Sequence, residues 1–333
     1  MKAVASGNYD PWENRPRCIT HAETMKIIFY SPEKNPQRWL DELAVALPDA
    51  TVWVWTPACA ARQADYLVVW SPPAELFASQ QQLKAVFNIG AGVDGVMKLA
   101  NLPAGVPIIR LNDAGMAVQM AEYVCHALIR HARGFDAYDA HARAREWKQQ
   151  RPIERAQFPV GIMGLGAIGA RVAHAVAAFD YPTFGWSRSM KSLQGVTTFA
   201  GNGALAEFLA LVRVLVCVLP LTRETASILN VGTLSKLMAN GYLINVGRGK
   251  HLVEEDLLKM LENGHLAGAT LDVFEDEPLP AQHPFWIHPK ITITPHISAT
   301  TLRAQSIVQI AQKIVALERG ELIAGIVETA RGY

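Results

Sequence analysis

The sequence predicts an α/β protein made of two doubly wound units, each a parallel sheet wrapped by helices. Three observations predict it. The chain has 333 residues, enough for about two domains of ~150. Short apolar runs rich in Val, Ile and aromatics alternate with helical patterns along most of it, as parallel strands joined by crossover helices do. A Gly-x-Gly-x-x-Gly stands near mid-chain, directly after one such run and directly before a helical stretch.

The first series of strands is expected at residues 27–30, 51–55, 66–70, 84–89 and 107–111, with helical stretches such as 36–47 between them. A long amphipathic segment, 118 to about 147, breaks this rhythm and reads as one helix joining the two units. A second series follows at 160–163, 183–186, 212–219, 242–246, 267–273 and 291–294, and a last helix at about 302–318. There is no internal repeat and no low-complexity segment.

Composition excludes several classes. Half of the residues are hydrophobic, 18% are charged, and 31 Lys+Arg against 30 Asp+Glu leave a net charge of +1. Disordered, collagen-like and acidic-tail chains do not look like this. Near-zero charge also argues against a nucleic-acid partner, which calls for a basic face. Cys18, Cys59, Cys125 and Cys217 stand far apart without a C-x-x-C pair. That fits a reducing compartment and gives neither a disulfide framework nor a metal site. No apolar stretch reaches the ~20 residues of a membrane span. The nearest, 204–221, carries Glu207 and Arg213 and reads as a helix followed by a buried strand. A cytoplasmic protein that touches no membrane is expected. Residues 1–24 hold Asp10, Glu13, Arg15 and Arg17 but no apolar run, so they read as a dispensable extension rather than a secretory signal.

The glycine motif is Gly164-Leu165-Gly166-Ala167-Ile168-Gly169, between a strand at 160–163 and a helix expected at 170–179. Gly164 permits the tight turn, Gly166 lets backbone approach a pyrophosphate, and Gly169 lets the helix pack close to the strand. The helix N-terminus then presents unpaired N–H groups to the diphosphate. An NAD site places an Asp or Glu about 20 residues further on, for the ribose 2′-hydroxyl. Here the strand ends in Trp186-Ser187-Arg188-Ser189-Met190-Lys191, without a carboxylate. Arg188 and Lys191 suit a 2′-phosphate, with Ser187 and Ser189 as neutral donors; alternatively both cations are solvated surface charges. NADPH is expected to be preferred, with NADH weaker.

Three further segments resemble the D-isomer-specific 2-hydroxyacid dehydrogenase family: Asn245-Val246-Gly247-Arg248-Gly249, the D-V-F-x-x-E-P of Asp272 to Pro278, and Thr294-Pro295-His296. Leu219-Pro220-Leu221-Thr222 before Thr225 also matches, and the resemblance runs in order through residues 25–333. It implies a Rossmann NAD(P)-binding domain at 118–304 and a flavodoxin-like substrate domain at 25–117 plus 305–333. It further implies a homodimer. Within the family, the short chain, the segment 186–189 and the terminal Ala330-Arg331-Gly332-Tyr333 point to reductases of small 2-oxo acids such as glyoxylate and hydroxypyruvate.

Site residues follow from the same resemblance. Leu219, Pro220 and Thr225 would line the cofactor, and Asp272 would hold the nicotinamide side or cap a turn. Ala91 and Gly92, in the loop from Gly90 to Asp94, would form a backbone anion nest for the substrate carboxylate. Arg248, Glu277 and His296 would be the catalytic set. The chemistry supports them independently. Hydride addition to a 2-oxo acid leaves an alkoxide that needs a proton, and His supplies protons near neutral pH. A carboxylate such as Glu277 stabilises the imidazolium and orients the ring. Arg248 offers a rigid fork of donors to a carboxylate. His251, His265, His283 and His288 fit no motif and receive no role. Trp55 and Trp70 end strands and either wall the substrate pocket or pack in the core. Asp180 stands where the family usually has Gly, which Asp tolerates because it is enriched at positive φ. Two alternatives stay open. One is another D-2-hydroxyacid dehydrogenase such as phosphoglycerate dehydrogenase, which favours an acidic strand end. The other is a dinucleotide-sensing scaffold.

Overall fold

The computed structural model describes residues 24–328 except 33, 34, 60, 91, 100 and 152. The expected extension therefore lies outside the described residues but for Thr24, and so does Ala91.

The first unit runs β1 (Met25–Tyr30), α1 (Gln37–Ala46), β2 (Ala50–Val54), β3 (Tyr66–Val69), α2 (Glu75–Ala78), β4 (Ala85–Asn88), α3 (Asp94–Met97) and β5 (Ile108–Arg110). Its strands form one parallel sheet in the order β2-β1-β3-β4-β5, the flavodoxin-like order. The central strands read Tyr66-Leu67-Val68-Val69 and Ala85-Val86-Phe87-Asn88, and every residue in them is buried. Continuous apolar runs of this kind arise because helices cover both faces of a parallel sheet.

The second unit runs β6 (Val160–Met163), α6 (Ala167–Ala177), β7 (Thr183–Ser187), β8 (Thr197–Ala200), α7 (Leu205–Ala210), β9 (Val214–Cys217), α8 (Val231–Leu234), β10 (Gly241–Asn245), α9 (Glu254–Glu262), β11 (Leu266–Leu271) and β12 (Ile291–Ile293). Its order is β12-β11-β10-β9-β6-β7-β8, again parallel. The strand order reverses between β6 and β9, and ligands of open α/β sheets bind at such a switch point, beyond the carboxyl ends of the strands.

Two helices at the junction take opposite sides. The last helix, α10 (Arg303–Glu318), returns to the first sheet, where Ile307, Ile310 and Ile314 pack with Ile27, Phe29 and Phe87. The helix α4 (Met116–Ala132) lies on the second sheet, its Met120, Val124 and Leu128 packed with Val160, Ile162 and Ile244.

The fold corrects three readings. The segment 118–147 is two helices rather than one, α4 followed by α5 (Phe135–Ala144). Gly134 breaks it at φ +64°, a conformation glycine adopts at little cost. Arg130 fixes the bend, reaching Asp136 and Asp139 at 2.6 Å each. The strand β8 had no expected counterpart. It is a half-exposed edge strand, Thr-Thr-Phe-Ala, paired along β7, and an edge has no need of an apolar run. Helix α6 opens at Ala167 rather than Ala170, so the third glycine already lies in its first turn. Asp180 does adopt the left-handed conformation, at φ +62°.

Candidate active site

The carboxyl ends of β6, β9, β10, β11 and β12 bring the motif residues to one edge of the second sheet. At β6, Gly164 is buried at φ +102°, and a methyl group there would press on the Val218 carbonyl at 3.0 Å. A methyl on Gly169 would collide with the Gly164 carbonyl, so this glycine is what lets α6 lie against the turn. Gly166 differs. It is exposed, caps α6 in an extended conformation with no side-chain cap, and faces open space for at least 4 Å. Ala167 is exposed and Ile168 half-buried beside it. An uncapped helix N-terminus behind a glycine cradle fits a diphosphate.

At the end of β7, Ser187 is buried and its hydroxyl donates to the Ser189 carbonyl at 2.8 Å. That bond closes the turn and commits the Ser187 proton. Arg188, Ser189 and Lys191 are exposed beyond it, and the stretch holds no carboxylate. The Glu224 carboxyl is held below its usual range mainly by the Thr222 hydroxyl, with Arg223 and Arg188 adding to the effect. The 222–225 loop therefore lies within electrostatic reach of Arg188. That loop is clipped shut by Thr225, whose hydroxyl donates to the Pro220 carbonyl at 2.7 Å and accepts the Thr222 N–H at 2.8 Å. Leu219, just before it, is buried beside Gly164. These residues fit an NADP cofactor: a phosphate cradle at the switch point and cations where a 2′-phosphate would lie.

The turn after β10 is built by Asn245. Its side-chain oxygen accepts the Gly247 N–H at 3.2 Å and its amide donates to the Arg248 carbonyl at 3.2 Å. Gly249 sits against the Phe274 backbone, where a methyl would collide, so the turn bearing Arg248 abuts the segment bearing Glu277. The Arg248 guanidinium donates to the Gly247 carbonyl at 2.8 Å and to Asp94 at 3.2 Å. It lies against Gly92, so closely that a methyl there would strike it. Asn88 shapes this loop of the first unit, donating to the carbonyls of Gly90 and Gly92 at 2.8 and 3.0 Å. Trp70 packs against Gly90, whereas Trp55 is buried edge-on to Tyr30, 5.7 Å between ring centres.

Beyond β11 and β12, His296 and Glu277 meet. His296 Nδ1 lies 2.8 Å from one Glu277 oxygen, and the other oxygen accepts the Phe274 N–H at 3.0 Å. Both side chains remain partly exposed, at 42% and 37%, so a ligand can reach the ring. His296 takes φ +55°, and Asp272 is what holds its loop there. The Asp272 side chain accepts the Thr294 hydroxyl and the N–H groups of Ile297 and Ser298, at 2.6–2.8 Å. Its carbonyl accepts the His296 N–H at 2.9 Å. Asp272 is fully buried, so its carboxylate faces this loop. Tyr123 of α4 extends the chain, 2.5 Å from the Thr294 hydroxyl, and burial pushes its phenol up to about 12.

Some residues at the site carried no recognised signal. His251 is fully buried between Arg248 and Pro220, and only its position three residues after Arg248 hinted at it. Asp94 was visible as the last residue of the glycine loop, but its ion pair with Arg248 joins positions 154 residues apart. Among the described residues, no group of three or more His, Cys, Asp or Glu is placed to hold a metal ion, and no helix is long and apolar enough to cross a membrane.

The chain is similar to known proteins in sequence and in fold. The sequence pattern of "D-isomer specific 2-hydroxyacid dehydrogenase, NAD binding domain" matches residues 125–298. The chain is 48% identical to a glyoxylate/hydroxypyruvate reductase A of Serratia proteamaculans and 44% identical to one of Yersinia enterocolitica, each over 314 residues, 93% of this chain and all of the relative. A solved structure of a D-isomer specific 2-hydroxyacid dehydrogenase from Xanthobacter autotrophicus Py2, in complex with NADPH and MES, superposes with a TM-score of 0.88. The NADPH-dependent glyoxylate/hydroxypyruvate reductase of Sinorhizobium meliloti, in complex with NADP and sulfate, superposes with a TM-score of 0.87. Both are 36% identical and cover 93% of this chain and all of theirs. With two parallel sheets, a glycine cradle at the switch point and Arg, Glu and His at neighbouring strand ends, the chain belongs to the D-isomer specific 2-hydroxyacid dehydrogenase family.

Proposed function

We propose that the protein is an NADPH-dependent reductase of small 2-oxo acids, turning glyoxylate into glycolate and hydroxypyruvate into D-glycerate. The observation that carries this reading is the His296–Glu277 pair, 2.8 Å apart, on strand ends next to the one that bears Arg248. The names of the relatives support the substrate class.

The residues divide the work. Arg248, braced by Asp94, grips the substrate carboxylate beside the backbone of Gly92. Gly164–Gly169, Arg188–Lys191, Leu219, Pro220 and Thr225 would hold NADPH, which would supply the hydride when bound; Ser187, its proton already committed, shapes the turn instead. His296 would give its proton to the alkoxide that hydride addition leaves on the 2-oxo acid, making the hydroxyl. Glu277 holds the ring by Nδ1, leaving Nε2 for the substrate. Solvent reprotonates the exposed ring. Asp272 positions His296 through the loop rather than touching the nicotinamide.

The finer reading has residues 25–117 with 305–333 as the substrate domain and 118–304 as the cofactor domain. It also has a cytoplasmic homodimer that uses NADH more weakly than NADPH. The unbridged thiols of Cys59, Cys125 and Cys217 suit a reducing compartment. The test is steady-state oxidation of NADPH and NADH, in parallel, with glyoxylate and hydroxypyruvate. Turnover with NADPH supports the reading; no turnover of either acid with either cofactor refutes it.

A further inference from the structure

His251 belongs to no motif, yet its ring bonds to two loops of the site at once. Nδ1 accepts the Arg248 backbone N–H at 3.1 Å. A backbone N–H can only donate, so the ring proton sits on Nε2, which donates to the Pro220 carbonyl at 3.3 Å. That carbonyl also accepts the Thr225 hydroxyl. Cys217 Sγ lies 3.7 Å from Nδ1, and a methyl on Gly247 would press on the ring at 3.0 Å. The backbone of the same residue is tied as well, its carbonyl accepting the Leu229 N–H at 2.8 Å. Burial pulls the imidazole down to about 4, so it stays neutral through the physiological range, and Cys217, pushed up to about 12, stays a thiol.

An apolar side chain would fill this space without the burden of burying two ring nitrogens. What the imidazole adds is geometry. Nδ1 fixes the turn that aims Arg248, and Nε2 fixes the loop running from Leu219 to Thr225 at Pro220. We propose that His251 is a positioning residue that locks the substrate-gripping turn to the cofactor-facing loop, setting the spacing between them. This rests on the roles given above to Arg248 and the 219–225 loop. Reaction geometry makes the spacing matter, because small misplacements of bound groups cost large factors in rate.

Two substitutions separate the two bonds. In His251→Asn the amide oxygen takes the place of Nδ1 and the Pro220 bond is lost. In His251→Gln the longer amide nitrogen takes the place of Nε2 and the Arg248 bond is lost. In the full chain, dissociation constants are measured for NADPH and for oxalate, a non-reacting mimic of the 2-oxo acid, together with kcat, KM and Tm. The Asn variant is expected to weaken NADPH about tenfold and leave oxalate nearly unchanged, and the Gln variant to do the reverse, as loss of one hydrogen bond predicts. Each variant cuts the link, so kcat is also expected to fall about tenfold in both, and variants that lower Tm with kcat and both constants unmoved overturn the proposal. If neither variant folds, ¹⁵N spectra of the unmodified protein decide: NADP⁺ alone and oxalate alone should each shift the His251 ring signals, and failure of either overturns it. These binding readouts stand even if glyoxylate proves not to be a substrate, so the two readings fail separately.

Discussion

His296 and Glu277 form a directed pair. Nδ1 meets one carboxylate oxygen at 2.8 Å while the Phe274 N–H fixes the other at 3.0 Å. Both carboxylate oxygens are engaged, and the half-exposed ring stands on a loop that Asp272 pins at three points. The pair is thus held from two strand ends, β11 and β12, which no local sequence preference could join.

Two substitutions should separate donor from partner. His296→Asn is expected to lower kcat roughly 10²–10⁴-fold, the usual share of general acid catalysis, with NADPH binding intact. Glu277→Gln should lower kcat less, about 10- to 150-fold, because a charge-assisted bond becomes a neutral one. Rapid-quench or steady-state rates with glyoxylate measure both. A His296→Asn enzyme within tenfold of the unmodified rate would show that another group gives the proton.

Gly166 and Gly169 should fail in different ways. A methyl on Gly169 collides with the Gly164 carbonyl, whereas one on Gly166 meets nothing within 4 Å of the protein. Gly169→Ala is therefore expected to lower Tm markedly. Gly166→Ala should leave Tm alone and weaken NADPH by about tenfold or more, since its methyl enters the space where the diphosphate would approach. Calorimetry and fluorescence titration separate the two outcomes. Unchanged NADPH affinity in Gly166→Ala would place the diphosphate elsewhere.

The sequence made the regular part of this site legible and hid the rest for physical reasons. Strand ends with fixed spacings, Gly164 to Gly169, Arg248 and His296, are short local patterns, and each fell where a parallel sheet puts its ligands. Contacts set by tertiary packing left no such trace. Asp94 meets Arg248 across 154 residues, and the second bond of His251 goes to Pro220, 31 residues earlier. The bend at Gly134 was hidden because amphipathic spacing continues on both sides of it, although α5 buries no residue. The edge strand β8 was hidden because half-exposed threonines read like a loop.

Arg188 should decide the cofactor. It is exposed at the end of β7, where the strand carries no acidic residue. Arg188→Ala is expected to weaken NADPH about 10- to 150-fold, the worth of one charge-assisted phosphate contact, and to leave NADH nearly unchanged. Dissociation constants for both cofactors test this. Equal affinity of the unmodified protein for NADPH and NADH would remove the argument.

Mild acid should loosen the fold through two buried imidazoles. Burial pulls both His251 and His131 from 6.5 to about 4. For His131 a stack on Tyr242, 3.9 Å between ring centres, excludes water from one face, and Arg213 adds to the lowering while Asp136 opposes it. For His251 the nearby Arg248 also lowers, while the Pro220 bond and Asp94 oppose. Between pH 6.5 and about 4 the unfolded chain binds a proton at each ring that the folded chain refuses, so unfolding becomes easier as pH falls. Above pH 6.5 this contribution is fully present. It is lost progressively between pH 6.5 and about 4, about 3 kcal/mol per ring over that interval. The lowered carboxyl of Glu318 acts in the same direction but at lower pH, below 4.5, so the upper part of the window belongs to the imidazoles. Urea titrations at intervals from pH 7.5 to 4.5 should show stability steady above pH 6.5 and falling below it, with a shallower fall in His251→Asn. A curve that stays flat down to pH 5, or an unchanged slope in the variant, would mean that the His251 ring is already charged or already wet in the folded protein.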